Sequence, residues 1–207
     1  MKLILSSCDF LNPYSRQVIV DNLDKDISES RVLFIPNEKA TTKDIISGKY
    51  HRRLHANGFT NQNNIYIFDE NCPSEFCGLD IDLVYVGGGN TFATLAKLRR
   101  CAFDRELINY IKKGSTYIGG SCGAHIVSKN IEHLLELDDN YCNLKDYDAL
   151  GLLDGVIVPH CGAEEYEPDK RDLVYKKLIT QAKFTVYRLT NDESLIVTDK
   201  SITKLKK

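Results

Sequence analysis

The sequence contains no apolar run that approaches the roughly 18 residues needed to span a bilayer. Its first apolar run covers only Leu3 to Leu5, whereas a secretory signal needs about 7 to 15 apolar residues. Ser6, Ser7 and Cys8 follow in an order similar to a lipoprotein cleavage site, but the run before them is too short for that role. We therefore expect a soluble, cytoplasmic protein with no membrane partner.

Neither basic nor acidic residues are in large excess. The chain has 27 basic and 29 acidic residues, dispersed along its length, and a formal net charge of −2. Because binding to nucleic acid relies on a large positive field, we expect no nucleic-acid partner. The lysine-rich segment from Lys204 to Lys207 is expected to be a solvated end.

The seven cysteines are odd in number and irregularly spaced, which favours free thiols in a reducing compartment over a disulfide framework. Cys72 and Cys77 lie around a turn and lack partners at zinc-ligand spacing. No glycine-rich segment has the G-x-G-x-x-G or G-K-[ST] spacing of a nucleotide site. We therefore expect neither a metal nor a cofactor.

Short apolar runs alternate with longer amphipathic segments along most of the 207 residues. This order predicts an α/β fold, a doubly wound and mostly parallel sheet flanked by helices, and the length favours one domain over residues 1–207. The predicted strands cover residues 2–6, 31–36, 64–68, 82–86, the run that begins at 117, 155–159, and a closing pair at 184–189 and 194–199. The predicted helices cover about 42–56, 91–99, 103–112 and 169–181.

Residues 117–124, Tyr-Ile-Gly-Gly-Ser-Cys-Gly-Ala, have the pattern of a nucleophile elbow. In this sharp strand-to-helix turn the positions two before and two after the nucleophile must be small, because a Cβ there collides with the returning backbone. Gly119 and Gly123 meet this condition around Ser121. The frame shifted by one residue leaves a thiol nucleophile, Cys122, as the alternative. Glycine suits a strained turn better than alanine, which favours Ser121.

The segment Gly-Gly-Gly-Asn-Thr at residues 87–91 follows a predicted strand. Its glycines allow backbone amides to approach a ligand closely, as an oxyanion hole requires. We predict that the amides of Gly88 or Gly89 and of Cys122 stabilise the negative charge that develops during acyl transfer. The candidate substrate-binding residues that end this segment are Asn90 and Thr91.

His160 ends a predicted strand that follows the elbow in sequence. The ligand site of an open α/β sheet lies at the carboxyl ends of its strands, and a serine hydroxyl needs a neighbouring imidazole to accept its proton. His160 is therefore the predicted general base, the alternative being a histidine satisfied within a loop. Candidate acids that orient this histidine lie in the acidic stretch 132–139 and are Glu132, Glu136 and Asp138, although such a stretch is also typical of a solvated face.

Four segments together resemble the peptidase E (aspartyl dipeptidase) family of serine peptidases. They are residues 1–7, 85–92, 118–124 and 150–160. The resemblance implies a class I glutamine amidotransferase-like, flavodoxin-like three-layer fold, a Ser121 nucleophile, a His160 base and an oxyanion hole that includes the Cys122 amide. It also implies an acid downstream of the serine, nearest to Glu136, with Glu132 as its competitor.

Two residues depart from the family pattern. Cys122 stands where the family usually has alanine, and Gly120 replaces a residue that is often larger, which could loosen the elbow. Relatives that prefer an N-terminal aspartate share a basic residue after the histidine loop, which Arg171 matches approximately. A basic residue at this position would suit an anionic group on the substrate.

The leading hypothesis is a serine peptidase that hydrolyses small peptides, including dipeptides with an N-terminal aspartate, through an acyl-enzyme on Ser121. One alternative is a thiol-dependent amidohydrolase that uses Cys122. Another is a binding or sensor protein that keeps the fold without catalysis. The sequence leaves open whether the chain is a monomer or a homodimer.

Overall fold

The computed structural model describes the whole chain, from Met1 to Lys207. Strands and helices alternate along it as the sequence predicts. The strands are β1 (Lys2–Ser6), β2 (Val32–Ile35), β3 (Ile65–Ile67), β4 (Leu83–Val86), β5 (Thr116–Gly120), β6 (Val156–Val158), β7 (Val186–Arg188), β8 (Glu193–Thr198) and β9 (Ile202–Lys206). The helices are α1 (Pro13–Asp21), α2 (Thr42–Ile46), α3 (Lys49–Ala56), α4 (Thr91–Arg100), α5 (Phe103–Lys112), α6 (Cys122–Ile126) and α7 (Pro168–Gln181).

Seven strands form one large sheet in the order β3-β2-β4-β5-β1-β8-β9. The pairs among β1 to β5 are parallel, whereas β8 pairs antiparallel with β1 and with β9. The two remaining strands, β6 and β7, form a separate parallel pair. The predicted α/β architecture with a mostly parallel sheet is confirmed.

Helices cover both faces of the large sheet, and each face has its own apolar core. Phe92 of α4, Leu107 of α5 and Ile126 of α6 belong to the larger cluster. Val18 of α1 and Leu54 of α3 belong to the cluster on the opposite face. Alternate residues of a strand point to opposite faces, so the fully apolar strands β2 and β4 supply both cores.

The helix predicted over residues 42–56 is two helices. Gly48 separates α2 from α3 with a φ of +73°, a left-handed conformation that glycine adopts without steric cost. Thr41 begins α2 with a capping box, in which its hydroxyl accepts from the Asp44 amide and the Asp44 carboxylate accepts from the Thr41 amide. The chain therefore turns once between two short helices.

The predicted closing pair of strands is wrong in its pairing. Strand β7 pairs with β6 in the small sheet, whereas β8 joins the large sheet beside β1. The lysines expected at a solvated end are exposed, but Lys204 to Lys206 also belong to a strand, the edge strand β9 beside β8. Pairing between distant strands is a tertiary property, so a local pattern does not reveal it.

No helix in the structure combines the length and the apolar character needed to cross a lipid bilayer.

The carboxyl ends of three adjacent strands meet at one edge of the large sheet. Ser7 follows β1, Gly87 follows β4 and Ser121 follows β5. The Ser121 amide donates to the Ser6 carbonyl at 3.0 Å, which continues the β1–β5 pairing up to the elbow. His160 reaches the same edge from the small sheet, where it follows β6.

Candidate active site

Ser121 lies at the sharp turn between β5 and α6, with φ +49° and ψ −106°. A non-glycine residue with positive φ is strained and persists only where its surroundings hold it. The two flanking glycines make this turn possible. A Cβ on Gly119 would lie 2.6 Å from the Gly123 carbonyl oxygen, and one on Gly123 would overlap the Val86 carbonyl oxygen. The elbow geometry that the sequence predicts around Ser121 is present.

The His160 ring lies directly against this serine. Its Nε2 is 3.1 Å from Ser121 Oγ, and its Nδ1 is 2.9 Å from the side-chain oxygen of Asn191. Because an amide oxygen only accepts, Nδ1 carries the ring proton and Nε2 presents a lone pair to the serine hydroxyl. This is the tautomer that a general base for Ser121 requires.

Ser7, the first residue after β1, fixes the loop that carries His160. The His160 amide donates to Ser7 Oγ at 3.0 Å, and the Ser7 hydroxyl donates to the Thr190 carbonyl at 3.0 Å. The Cys161 amide also donates to the Leu189 carbonyl at 2.9 Å. The loop of His160 and the loop of Asn191 are therefore tied to each other and to the large sheet.

The surroundings keep the His160 imidazole neutral. Burial lowers its pKa from the ordinary histidine value, and the hydrogen bond to Asn191 opposes that shift only in part. Tyr166 covers the ring in a stacked arrangement, with 3.8 Å between centroids and 12° between planes. A neutral ring at neutral pH can accept a proton, as a general base must.

The glycine loop after β4 lies beside the elbow, as predicted. A Cβ on Gly88 would lie 3.9 Å from Ser121 Cβ, and Gly89 has a φ of +154°. Cys122 is the first residue of α6, where a backbone amide has no acceptor within the helix. The backbone of both segments thus lies next to Ser121.

The Cys122 thiol is separated from this arrangement. Its side chain is 1% exposed and belongs to the large apolar core. Burial raises its pKa to about 12, so the sulfur stays protonated at neutral pH. A buried, protonated thiol is a poor nucleophile, and the alternative elbow frame lacks the reactive group that it needs.

A cavity of about 380 Å³ opens above Ser121 and His160. Loops from both sheets line it. Its polar and charged lining includes Ser7, Asp9, Asp138, Glu165 and Arg171. Arg171 is 7% exposed, and its guanidinium donates to the Tyr166 carbonyl at 2.8 Å and to the Pro159 carbonyl at 3.0 Å. The site is a small polar pocket with one buried cation in its wall.

Comparison with known sequences decides the family of a chain with this geometry. The profile of peptidase family S51 matches residues 3–205. The chain belongs to peptidase family S51. The resemblance drawn from four short segments of the sequence is thereby confirmed.

Individual S51 relatives match shorter stretches. An uncharacterized peptidase of Listeria monocytogenes is 34% identical over 125 residues, which are 58% of this chain and 58% of the relative. Peptidase E of Citrobacter koseri is 35% identical over 81 residues, 39% of this chain and 34% of that one. In both cases the match spans less than two thirds of the relative's own length.

A solved structure from Listeria monocytogenes EGD-e, provisionally named a peptidase E protein, has the same fold. The two superimpose with a TM-score of 0.74, covering 100% of this chain and 98% of the other, at 24% identity. At this identity the likeness concerns the fold, and the roles of individual side chains must come from the geometry above.

The prediction that Glu136 or Glu132 is the acid that orients His160 is wrong. Glu136 is exposed and pairs with Lys177 at 2.5 Å, and Glu132 is exposed in the same outer region. Neither lines the cavity of Ser121, and His160 Nδ1 meets Asn191 instead. The acidic stretch is a solvated face at both positions.

Two of the predicted substrate-binding residues make hydrogen bonds within the protein instead. Asn90 caps α4, accepting from the Ala93 amide at 3.0 Å, and its side-chain amide donates to the Asp139 carbonyl at 2.8 Å. Thr91 is buried, with its hydroxyl 3.0 Å from His125 Nδ1. Neither residue lines the cavity, whereas Arg171 does.

Several residues of the site were not predicted from the sequence. Asn191 orients His160, Ser7 ties two loops together, and Asp9 lines the cavity from a position just after β1. Ser7 and Asp9 carry a usable signal, because both follow a predicted strand and the ligand site lies at strand ends. Asn191 carries none, because it lies between two strands that read as a hairpin.

The contact between Asn191 and His160 predicts a change in the pH profile. Asn191→Asp places a carboxylate beside Nδ1, which stabilises the imidazolium and raises the pKa of His160. We expect the acid limb of kcat/KM to move to higher pH in this variant, and Asn191→Ala to lower kcat by about tenfold through loss of one hydrogen bond. Peptide hydrolysis measured across pH tests both.

Asn63→Asp is the matched control for this series, because Asn63 is exposed and outside the cavity. It adds the same charge without a contact to His160. An acid limb that stays in place in Asn191→Asp, or that moves equally in Asn63→Asp, contradicts the assignment.

Proposed function

We propose that this protein is a serine peptidase that hydrolyses small peptides through an acyl-enzyme on Ser121. The observation that carries the proposal is the 3.1 Å separation of Ser121 Oγ and His160 Nε2 at a strained elbow. Membership of peptidase family S51 supports the same reaction class. Besides substrate and water, the proposed chemistry uses the side chains and amides described above.

In the proposed reaction, Ser121 Oγ attacks the scissile carbonyl carbon while His160 Nε2 accepts the hydroxyl proton. The imidazolium then gives this proton to the leaving amine as the C–N bond breaks, which leaves an ester on Ser121. Water then attacks the ester carbonyl while His160 accepts its proton, the bond to Ser121 Oγ breaks as that proton passes to Oγ, and the carboxylic acid product leaves. Asn191 holds the ring through both halves, and the burial of His160 favours return to the neutral form.

The negative charge on the tetrahedral carbonyl oxygen requires donors fixed in advance. The proposal assigns them to the Cys122 amide at the start of α6 and to an amide of the glycine loop, Gly88 or Gly89. Fixed backbone donors stabilise charge without reorganising at the moment of reaction, and loss of one such donor costs about 3 kcal/mol.

The cavity limits the substrate to short peptides. Its volume of about 380 Å³ lies at the lower end of the range for small-molecule sites. Loops from both sheets form its walls, and a pocket of this size holds only a short stretch of peptide. This supports dipeptides as the substrate class.

Arg171 supports a preference for an N-terminal aspartate. Its Nε and Nη1 are held by the Tyr166 and Pro159 carbonyls. A guanidinium has five N–H donors in a planar fork, so this anchoring fixes the group and leaves further donors for a substrate carboxylate. Burial lowers the pKa of Arg171. Because the ordinary pKa of arginine is very high, the side chain still stays a cation.

A cytoplasmic location is part of the proposal. All seven cysteines are free thiols in the structure, including the buried Cys122 and Cys161. Free thiols in this number are typical of proteins in a reducing compartment. Localisation of a tagged chain by cell fractionation tests this element separately from activity.

A fluorophosphonate probe tests the nucleophile directly. We expect the wild-type protein to be labelled at Ser121 and the Ser121→Ala variant to remain unlabelled, with peptide mapping by mass spectrometry as the readout. A folded wild-type protein that is neither labelled nor able to hydrolyse peptides would instead support a non-catalytic binding protein.

The substrate preference predicts a ranking among dipeptides. We expect kcat/KM for Asp-Leu to exceed that for Asn-Leu by about tenfold to a hundredfold, because a charge-assisted hydrogen bond contributes about 1.5–3 kcal/mol. Lys-Leu should be poorer still, since its ammonium would face Arg171. Equal rates for Asp-Leu and Asn-Leu would remove the aspartate preference while leaving the serine mechanism in place.

A further inference from the structure

Asp9 is a buried acid beside the nucleophile that the proposed reaction does not use. The residue is 2% exposed and lines the same cavity as Ser121. Its carboxylate lies between two backbone segments of the site. A Cβ on Gly120 would be 2.5 Å from Asp9 Oδ2, and one on Gly87 would be 3.6 Å from the same oxygen. The glycine at position 120, which departs from the family pattern, therefore makes room for this carboxylate.

The fold holds Asp9 in this position by several contacts at once. Its backbone has a positive φ of +43°, its amide donates to Ser6 Oγ at 3.0 Å, and its Oδ1 accepts from the Leu11 amide at 3.3 Å. Burial raises the pKa of Asp9, while the nearby Arg53 and the Tyr85 hydroxyl oppose that shift. A strained, buried carboxylate with its own supporting contacts is typical of a functional position.

This placement works against the oxyanion, and the nearby Arg53 offsets the charge of Asp9 only in part. A carboxylate beside the elbow repels the negative charge that develops on the scissile carbonyl oxygen. A positive group of the substrate close to that carbonyl would offset the repulsion and the cost of burying the acid.

The first residue of a peptide carries such a group at a fixed place. From standard bond lengths and angles, its α-ammonium nitrogen lies about 2.5 Å from the carbonyl carbon of the first peptide bond. A site that cleaves this bond must therefore hold the ammonium immediately beside the nucleophile. A site that cleaves an internal bond has a neutral amide at the same point and gains nothing from an acid there.

We propose that Asp9 binds the free α-ammonium of the substrate and so restricts cleavage to the first peptide bond. This inference rests on the proposed function and names the residue that reads the amino terminus. The other acids of the cavity are less suited. Asp138 accepts a hydrogen bond from the Thr91 hydroxyl at 3.4 Å and is stabilised by Arg171, the group assigned to the substrate's side-chain carboxylate, and Glu165 is exposed at the rim.

Binding to a protein that cannot turn substrate over tests this role apart from catalysis. In the Ser121→Ala background, isothermal titration with Asp-Leu and with N-acetyl-Asp-Leu compares the charged amino terminus with a neutral one. We expect Asp-Leu to bind at least about tenfold more tightly, as loss of a charge-assisted contact implies. Adding Asp9→Asn should reduce the ratio to near one.

Asp9→Asn is expected to fold as the wild-type protein does, so a change in binding can be attributed to the lost charge. Asparagine tolerates a positive φ as well as aspartate does and has almost the same shape, so Asp9→Asn should keep the backbone. Thermal unfolding of each variant checks this. Glu164→Gln removes an acidic charge from an exposed position outside the cavity and should leave the binding ratio unchanged.

Three results would overturn the proposal: equal binding of the two peptides, no binding of either at millimolar concentration, or an unchanged preference in Asp9→Asn. A loss of preference in Glu165→Gln equal to that in Asp9→Asn would also overturn it, because the total charge of the cavity would then be responsible. Labelling of wild-type Ser121 by fluorophosphonate is independent of all four outcomes, so failure of the serine mechanism is recognised separately.

Discussion

Replacement of Ser121 by alanine is expected to lower kcat/KM for dipeptide hydrolysis by about 10⁴-fold or more. In the proposed mechanism Ser121 and His160 act as a unit, so removal of the hydroxyl leaves only the contribution of the oxyanion donors and substrate binding. His160→Ala should have a similar effect, and the double variant should be little worse than either single variant. Initial rates with Asp-Leu measure all three.

Ser74→Ala is the matched control, because Ser74 is an exposed serine outside the cavity. It should keep wild-type activity. The thiol-dependent alternative makes the opposite prediction, with activity abolished in Cys122→Ala and retained in Ser121→Ala. Substantial turnover by a purified Ser121→Ala protein would refute the serine mechanism.

The second large effect is expected at Gly123, the residue two after the nucleophile. In an ordinary helix, Gly→Ala stabilises by about 1 kcal/mol. Here a Cβ would overlap the Val86 carbonyl oxygen and lie 2.8 Å from its carbon, so β4 or the elbow must move. Because rigid backbone cannot yield cheaply, we expect Gly123→Ala to lower the free energy of unfolding by at least about 3 kcal/mol.

Urea and thermal unfolding measure this cost, and a fall in midpoint of about 6 °C or more corresponds to it in a chain of this size. Gly78→Ala is the control, since Gly78 has positive φ but no atom within 4 Å of an added Cβ. That change should cost only about 1–2 kcal/mol, from the left-handed backbone. A Gly123→Ala protein as stable as wild type would show that the elbow is looser than its contacts indicate.

Much of the candidate site could be predicted because its residues follow recognisable strands. Ser121, His160 and the glycine loop each come directly after a short apolar run, and parallel strands bring their carboxyl ends to one edge. The close spacing of glycines around Ser121 added a steric reason for the turn. These are local features, and a sequence displays them directly.

The orienting residue could not be found in this way. Residues 184–199 read as two strands with a turn, which places Asn191 at the tip of a hairpin. In the structure β7 and β8 belong to different sheets, and the chain between them crosses the active site. Which sheet a strand joins depends on packing against distant segments, and no local pattern contains it.

The prediction for Glu136 is wrong for a related reason. The family resemblance implies an acid downstream of Ser121, and Glu136 is nearest to the expected position, but its side chain pairs with Lys177 on the surface. Asp9 follows a predicted strand, but the sequence does not indicate what its carboxylate contacts. Its importance depends on Gly120, more than a hundred residues later, and becomes visible only when both are seen in contact.

The edge strand β9 affects the tendency of the protein to aggregate. Its backbone groups on the outer side are open to pairing with another sheet, the usual start of aggregation. Lys204 and Lys206 lie on this exposed strand, and the opposite edge is β3, which is three residues long. Lys204 is paired with Glu193 at 3.0 Å, whereas two molecules that joined along β9 would bring their Lys206 ammonium groups near each other, so Lys206 helps to keep crowded molecules apart.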